Sequence, residues 1–212
     1  MAPSLPSLPG NFATAQELID QAHAQDPNKV KGKDGAETDA PYELHYAKKM
    51  TAWLAKRAPD ASPVLQLACR AQHFRRWEIP RSSYPMTRPG YLTWRAKLKA
   101  QAAVQVAELL RSSSIRPPIP DADIDQVAAL IRKEGLAGGE EDEEVQVLED
   151  AACLVFLDDQ FEAFETSVDE DKMVGILRKT WGKMSPAGRD LALQMDLGDR
   201  PKELVVKALE GS

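Results

Sequence analysis

Three histidines and one pair of adjacent carboxylates have the clearest capacity for chemistry in this 212-residue chain. His23 ends an amphipathic stretch beside Asp26, and His45 lies in Glu43-Leu-His-Tyr46. His73 lies in Ala71-Gln-His-Phe-Arg-Arg-Trp77, at the end of an apolar run. Glu149-Asp150 interrupts Val145-Gln-Val-Leu-Glu-Asp-Ala-Ala-Cys-Leu-Val-Phe156, the most apolar segment of the chain. Carboxylates there are costly to desolvate unless they meet a cation, a metal or hydrogen-bond donors. Imidazole and carboxylate brought in from several helices would suit a divalent cation. Plainer readings stand beside this one. His73 is then a satisfied core histidine, His45 an ordinary one, and His23 a cap where a helix C-terminus favours positive charge. Glu149 and Asp150 are then ion-pair partners of arginines or part of a helix N-terminus.

The second signal is basic. From Arg70 to Lys99 the chain holds eight basic residues and one acid, Glu78, a local charge of +7 in a chain of net −6. The remainder therefore carries −13, much of it in Glu140-Glu-Asp-Glu-Glu144 and at Asp158, Asp159, Glu162 and Glu165. An overall negative field opposes non-specific nucleic-acid binding, whereas a concentrated basic segment suits a small anionic group. Arg75, Arg76, Arg81, Arg88 and Arg95 are interleaved with Trp77, Tyr84, Tyr91 and Trp94 and with three prolines. Guanidinium forks bind phosphate at two points and stack on aromatic rings, and proline fixes loop shape. The competing reading is structural, with these arginines docking the loop onto Glu149 and Asp150. Cys69 and Cys153 sit in apolar helical patterns with no basic activator nearby, so nucleophilic catalysis by either is not expected. Glycine-rich phosphate loops, serine elbows and paired-cysteine spacings are absent from the sequence.

The elements that must position these residues read as helices throughout. Hydrophobic residues at 43% and charged residues at 28% describe a globular chain. No segment approaches the roughly 20 apolar residues of a membrane span. Thr14 and Glu17 suggest a capping box opening a helix to His23, followed by a polar loop to Ala40. A helix from Tyr42 closes at Pro59, and Ser62-Pro63 opens another to about Trp77. An ordered proline loop leads to a long helix from Tyr91 to Leu110, with Leu92, Leu98, Ala102, Val106 and Leu109 on its apolar side. Further helices are expected from Ile124 to Lys133 (stopped by Gly135), from Val145 to about Phe164, from Asp169 to Trp181, after Ser185-Pro186, and from about Lys202 to Leu209. The expectation is an all-α fold of eight or nine helices, with residues 1–11 a flexible lead-in and 12–212 one domain. The N-terminus lacks the marks of a signal or transit peptide, and the cysteines fit a reducing compartment, so a cytoplasmic location is expected.

His23-Ala-Gln-Asp-Pro-Asn28, Gln72-His-Phe-Arg-Arg-Trp77, Pro80-Arg-Ser-Ser-Tyr-Pro-Met86, Gly90-Tyr-Leu-Thr-Trp-Arg95, Leu148-Glu-Asp150 and Lys179-Thr-Trp-Gly-Lys-Met-Ser185 together carry a resemblance. From about Phe12 to Gly188 the chain resembles the family termed domain of unknown function 4202, found in bacteria and fungi. It is more distantly similar to the HD-domain metal phosphohydrolases, which are all-helical. That second resemblance implies His73 and Asp150 as metal ligands, with His45, or Glu43 or His23 in its place, completing the set and Phe74 where the family has aspartate. The expected activity is then hydrolysis of a small phosphorylated metabolite or nucleotide by a bound divalent cation (Mn, Fe, Zn, Ni or Mg). Glu149 or Glu43 would be a ligand or general base. Arg75, Arg76, Arg81, Arg88, Tyr84 and Arg95 would hold the substrate. The alternatives are a metal-free module binding RNA or a small anion, and a helical interaction protein.

Overall fold

The computed structural model describes residues 3–31, 37–134, 143–161 and 168–209. Among them are nine α-helices and one small hairpin. The order is α1 (Gly10–His23), β1 (Lys29–Lys31), β2 (Glu37–Pro41), α2 (Tyr42–Arg57), α3 (Pro63–Arg70), α4 (Arg88–Leu110), α5 (Asp121–Arg132), α6 (Glu143–Val155), α7 (Glu170–Lys183), α8 (Pro186–Leu193) and α9 (Asp199–Leu209). The expected all-α fold is therefore present. No helix among the described residues is long and apolar enough to cross a membrane.

Local chemistry explains most boundaries. Ser62 accepts the Leu65 N–H at 3.0 Å, Thr87 the Gly90 N–H at 3.2 Å, Asp169 the Lys172 N–H at 2.8 Å, and Ser185 the Gly188 N–H at 3.1 Å. Each satisfies a donor that a helix start leaves open. The Thr14 capping box does not form, because α1 starts four residues earlier and the Thr14 hydroxyl donates back to the Gly10 carbonyl. β1 and β2 pair antiparallel where a polar loop was expected.

α6 packs against α2, α3, α5, α7 and α8, so the most apolar segment is the central helix. Beyond Val155 it continues as one π-helical turn, Phe156–Gln160. On α4 the buried residues are Trp94, Ala102, Ala103, Val106 and Leu110. Leu92 is 56% exposed, off the apolar face assigned to it from spacing. The expected stop at Gly135, the acids at 140–142, Glu162, Glu165 and the helix end near Phe164 lie outside the described residues.

Candidate functional site

α3 ends at Arg70, not near Trp77. From there the chain makes tight turns in which His73 (φ 63°) and Arg75 (φ 47°) are left-handed. Such backbone costs about 1–3 kcal/mol per non-glycine residue and persists only where the surroundings enforce it. Glu43 of α2 is the enforcer. Its carboxylate accepts the backbone N–H of Arg75 at 2.9 Å and of Arg76 at 2.6 Å. His23 Nδ1 lies 3.1 Å from the same carboxylate, and Asp26 accepts the Glu43 N–H at 3.0 Å. Glu43 is 2% exposed, and burial raises its pKa against the opposing pull of His23 and the Arg76 N–H. The second nitrogen of His23 donates to the carbonyl of Arg70 at 3.0 Å, so the imidazole ties α1 to the end of α3.

This turn presents a set of donors. The guanidinium of Arg76 donates through Nη1 to His73 Nε2 at 3.0 Å. A guanidinium has no acceptor, so Nε2 carries the lone pair and Nδ1 carries the proton. The ring is stacked on Tyr46 with centroids 4.1 Å apart. Its pKa is well below 6.5, first through burial and then through the charges of Arg76, Lys133 and Arg95. The neutral ring's Nδ1–H is buried and has no acceptor among the described residues, nor has the Nε–H of Arg75. Arg76 lies 4.7 Å over Trp94, and burial lowers its pKa. It meets no carboxylate among the described residues, whereas Arg75 Nη1 lies 3.7 Å from Glu78. Two donors within four residues, His73 Nδ1 and Arg75 Nε, thus lack any acceptor among the described residues, and Arg76 meets only the neutral His73 Nε2.

The other arginines divide by role. Arg81 donates to the carbonyls of Tyr84 (2.9 Å) and Pro85 (2.8 Å) and holds the proline loop closed. Tyr84 offers its carbonyl to that closure, and Arg88 is exposed at the start of α4. Arg95 reaches the Tyr91 hydroxyl at 3.2 Å and no acid among the described residues. Trp94 is 6% exposed and donates to the Ile79 carbonyl, so it offers no free face for base stacking.

The carboxylate pair is separate from the turn. Asp150, fully buried, accepts from Arg57 Nε at 2.7 Å, Ser185 Oγ at 2.5 Å, Ser185 N at 2.8 Å and Gln146 Nε2 at 3.0 Å. Glu149 is gripped by Lys133 and lies 3.4 Å from Lys183. Burial raises its pKa, but the two lysines win and leave it below 4.5. None of the arginines from Arg75 to Arg95 reaches either acid, so the loop is not docked through them as the structural alternative supposed. The partners come instead from α2, the end of α5 and the end of α7.

Among the described residues the expected metal ligands His73, Asp150, His45 and His23 are each engaged with other groups. Asp150 has its lone pairs taken by four protein donors, both His23 nitrogens are committed, and His73 Nε2 faces a guanidinium. His45 bonds Asp159 at 2.6 Å, near the π turn. Among the described residues no three His, Cys, Asp or Glu side chains could hold an ion together. Cys69 and Cys153 are buried thiols, each pushed up by burial to about 12, which removes them as nucleophiles. Sequence reasoning passed over Tyr46, Lys99 and Lys133. Only the fold shows that Tyr46 stacks on His73, that Lys99 bonds the Arg132 carbonyl and that Lys133 reaches Glu149.

These features define an all-helical protein whose strained, donor-rich turn is braced by a buried histidine–glutamate pair. The chain belongs to the family described as Domain of unknown function (DUF4202), whose model matches residues 13–205. No curated protein and no solved structure matches the chain.

Proposed function

We propose that the protein binds a small phosphorylated metabolite, without a metal, at the turn His73-Phe-Arg-Arg76. The observation that carries this reading is the pair of buried, unsatisfied donors, His73 Nδ1 and Arg75 Nε, beside an Arg76 guanidinium with no acid partner. Each lost acceptor costs about 1–3 kcal/mol, and a buried cation costs more. A tetrahedral oxyanion would satisfy all of them, with charge-assisted bonds to arginine. The left-handed backbone keeps these residues in one tight turn, which Glu43 holds in the absence of ligand.

The test is calorimetric titration of chelator-treated protein with inorganic phosphate at low ionic strength. Saturable binding with Kd of about 1 mM or tighter, lost in Arg76→Gln, supports the reading. No heat, or binding that requires an added divalent cation, overturns it.

A further inference from the structure

The donor-rich turn adjoins further basic residues, because Arg76 lies over Trp94, the neighbour of Arg95 on α4. Arg95 and Lys99 stand one helical turn apart on α4, a like-charge spacing that is unfavourable on its own. Lys99 Nζ donates to the Arg132 carbonyl at 2.9 Å, which sets it against the C-terminal end of α5. There Lys133 is itself left-handed (φ 55°). Lys133 and Lys183 close on the two oxygens of Glu149. Burial lowers the Lys99 pKa, and Lys133 and Arg95 add to that effect. Glu134, the other acid beside Lys99, is taken by Arg132 through two bonds. Arg76, Arg95, Lys99, Lys133 and Lys183 therefore share one buried carboxylate among the described residues. One phosphate at His73 and Arg76 leaves Arg95 and Lys99 uncompensated.

Resting on the phosphate site above, we propose that the natural ligand carries two linked phosphoryl groups. The first is held by the His73–Arg76 turn, and the second by Arg95 and Lys99. Lys133 supplies field rather than contact, because Glu149 already occupies its ammonium. Arg95 and Lys99 share one face of α4, and Arg76 lies over Trp94 on the same helix, so two linked phosphoryl groups match these two basic groups better than a single tetrahedral one. Such a group arrives either free or attached to a nucleoside. Tyr91, 41% exposed and flanked by Arg81 and Arg95, is the ring nearest to meet a base.

The experiment titrates inorganic phosphate, inorganic diphosphate and ADP into the full chain at matched ionic strength, with chelator present. The wild type is compared with Arg95→Met and Lys99→Met, which keep the apolar stems. The expected result is at least tenfold tighter binding of diphosphate or ADP than of phosphate. That ratio falls to about threefold or less in either variant, through lost affinity for diphosphate and ADP, in protein that remains folded at the assay temperature. Which of the two ligands binds tighter shows whether the group arrives free or on a nucleoside. A preference under threefold in the wild type, or a ratio untouched by both variants, overturns the inference and leaves the phosphate site standing. Failure of phosphate itself to bind overturns the parent reading instead.

Discussion

Replacing Asp150 by alanine should damage folding rather than chemistry. The carboxylate is fully buried and accepts four hydrogen bonds, two of them from Ser185 at the start of α8 and one from Arg57 of α2. Truncation strands the half-buried guanidinium of Arg57 and removes the anchor between α6 and the α7–α8 corner. Breaking one side of a buried ion pair costs about 3–5 kcal/mol. Against a total stability of about 5–15 kcal/mol, that is a large fraction. With a urea slope of about 2 kcal/mol per molar, the midpoint should fall by about 2 M. Arg57→Ala should cost a similar amount by stranding the acid. The double variant should then fall short of additivity by about 1.5–3 kcal/mol. Urea unfolding of the four proteins measures all of this. A loss under about 1 kcal/mol for Asp150→Ala would refute the structural role and reopen this residue as a ligand-binding group.

Gly188 packs against the same carboxylate, and a Cβ there would stand 2.6 Å from Asp150 Cγ; Gly188→Ala should therefore lower stability by about 1–3 kcal/mol in urea unfolding. Arg76→Met removes a buried cation with no acid partner together with its contacts to Trp94 and His73, so it should change stability by no more than about 1 kcal/mol while abolishing phosphate binding. Glu149 has a lowered pKa despite its burial, so its contribution to stability is complete above about pH 4.5 and is lost as pH falls through the depressed value. Acid titration of wild type against Glu149→Gln should show that limb only in the wild type. Glu43 has the opposite sign. Burial raises its pKa, so the folded state holds the proton more tightly, and its contribution declines as pH rises from 4.5 through the raised value. In Glu43→Gln that decline should vanish, while the turn loses about 1–3 kcal/mol from weakened bonds to the Arg75 and Arg76 N–H groups.

The helices were legible where local chemistry decides them. Ser62-Pro63, Ser185-Pro186 and Asp169 cap the helices that spacing assigned to them, and the segment around Leu148 and Leu154 is the central one. Thr14 failed as a cap because the helix had room to start earlier, at Gly10. The end of α3 was not legible. Nothing between Arg70 and Trp77 forbids a helix, and it stops because Glu43, more than thirty residues away, captures the N–H groups of Arg75 and Arg76. The need of Glu149 and Asp150 for compensation was readable from their apolar surroundings. The identity of the partners was not, since Arg57 is 93 residues from Asp150 and the serine at 185 approaches from another corner. The arginine-rich segment stands out in the sequence, but sequence alone does not separate Arg81, which closes a loop, from Arg76, which has no acid among the described residues.

The account rests on a neutral His73 that donates through Nδ1 to a bound anion. Nitrogen-15 NMR of histidine-labelled, chelator-treated protein at pH 7, with and without phosphate, tests this most directly. The prediction is a neutral His73 protonated at Nδ1, silent to pH between 6 and 8, whose Nδ1 resonance moves on saturating phosphate. A ring protonated at Nε2, or one that ignores phosphate, would contradict the central claim.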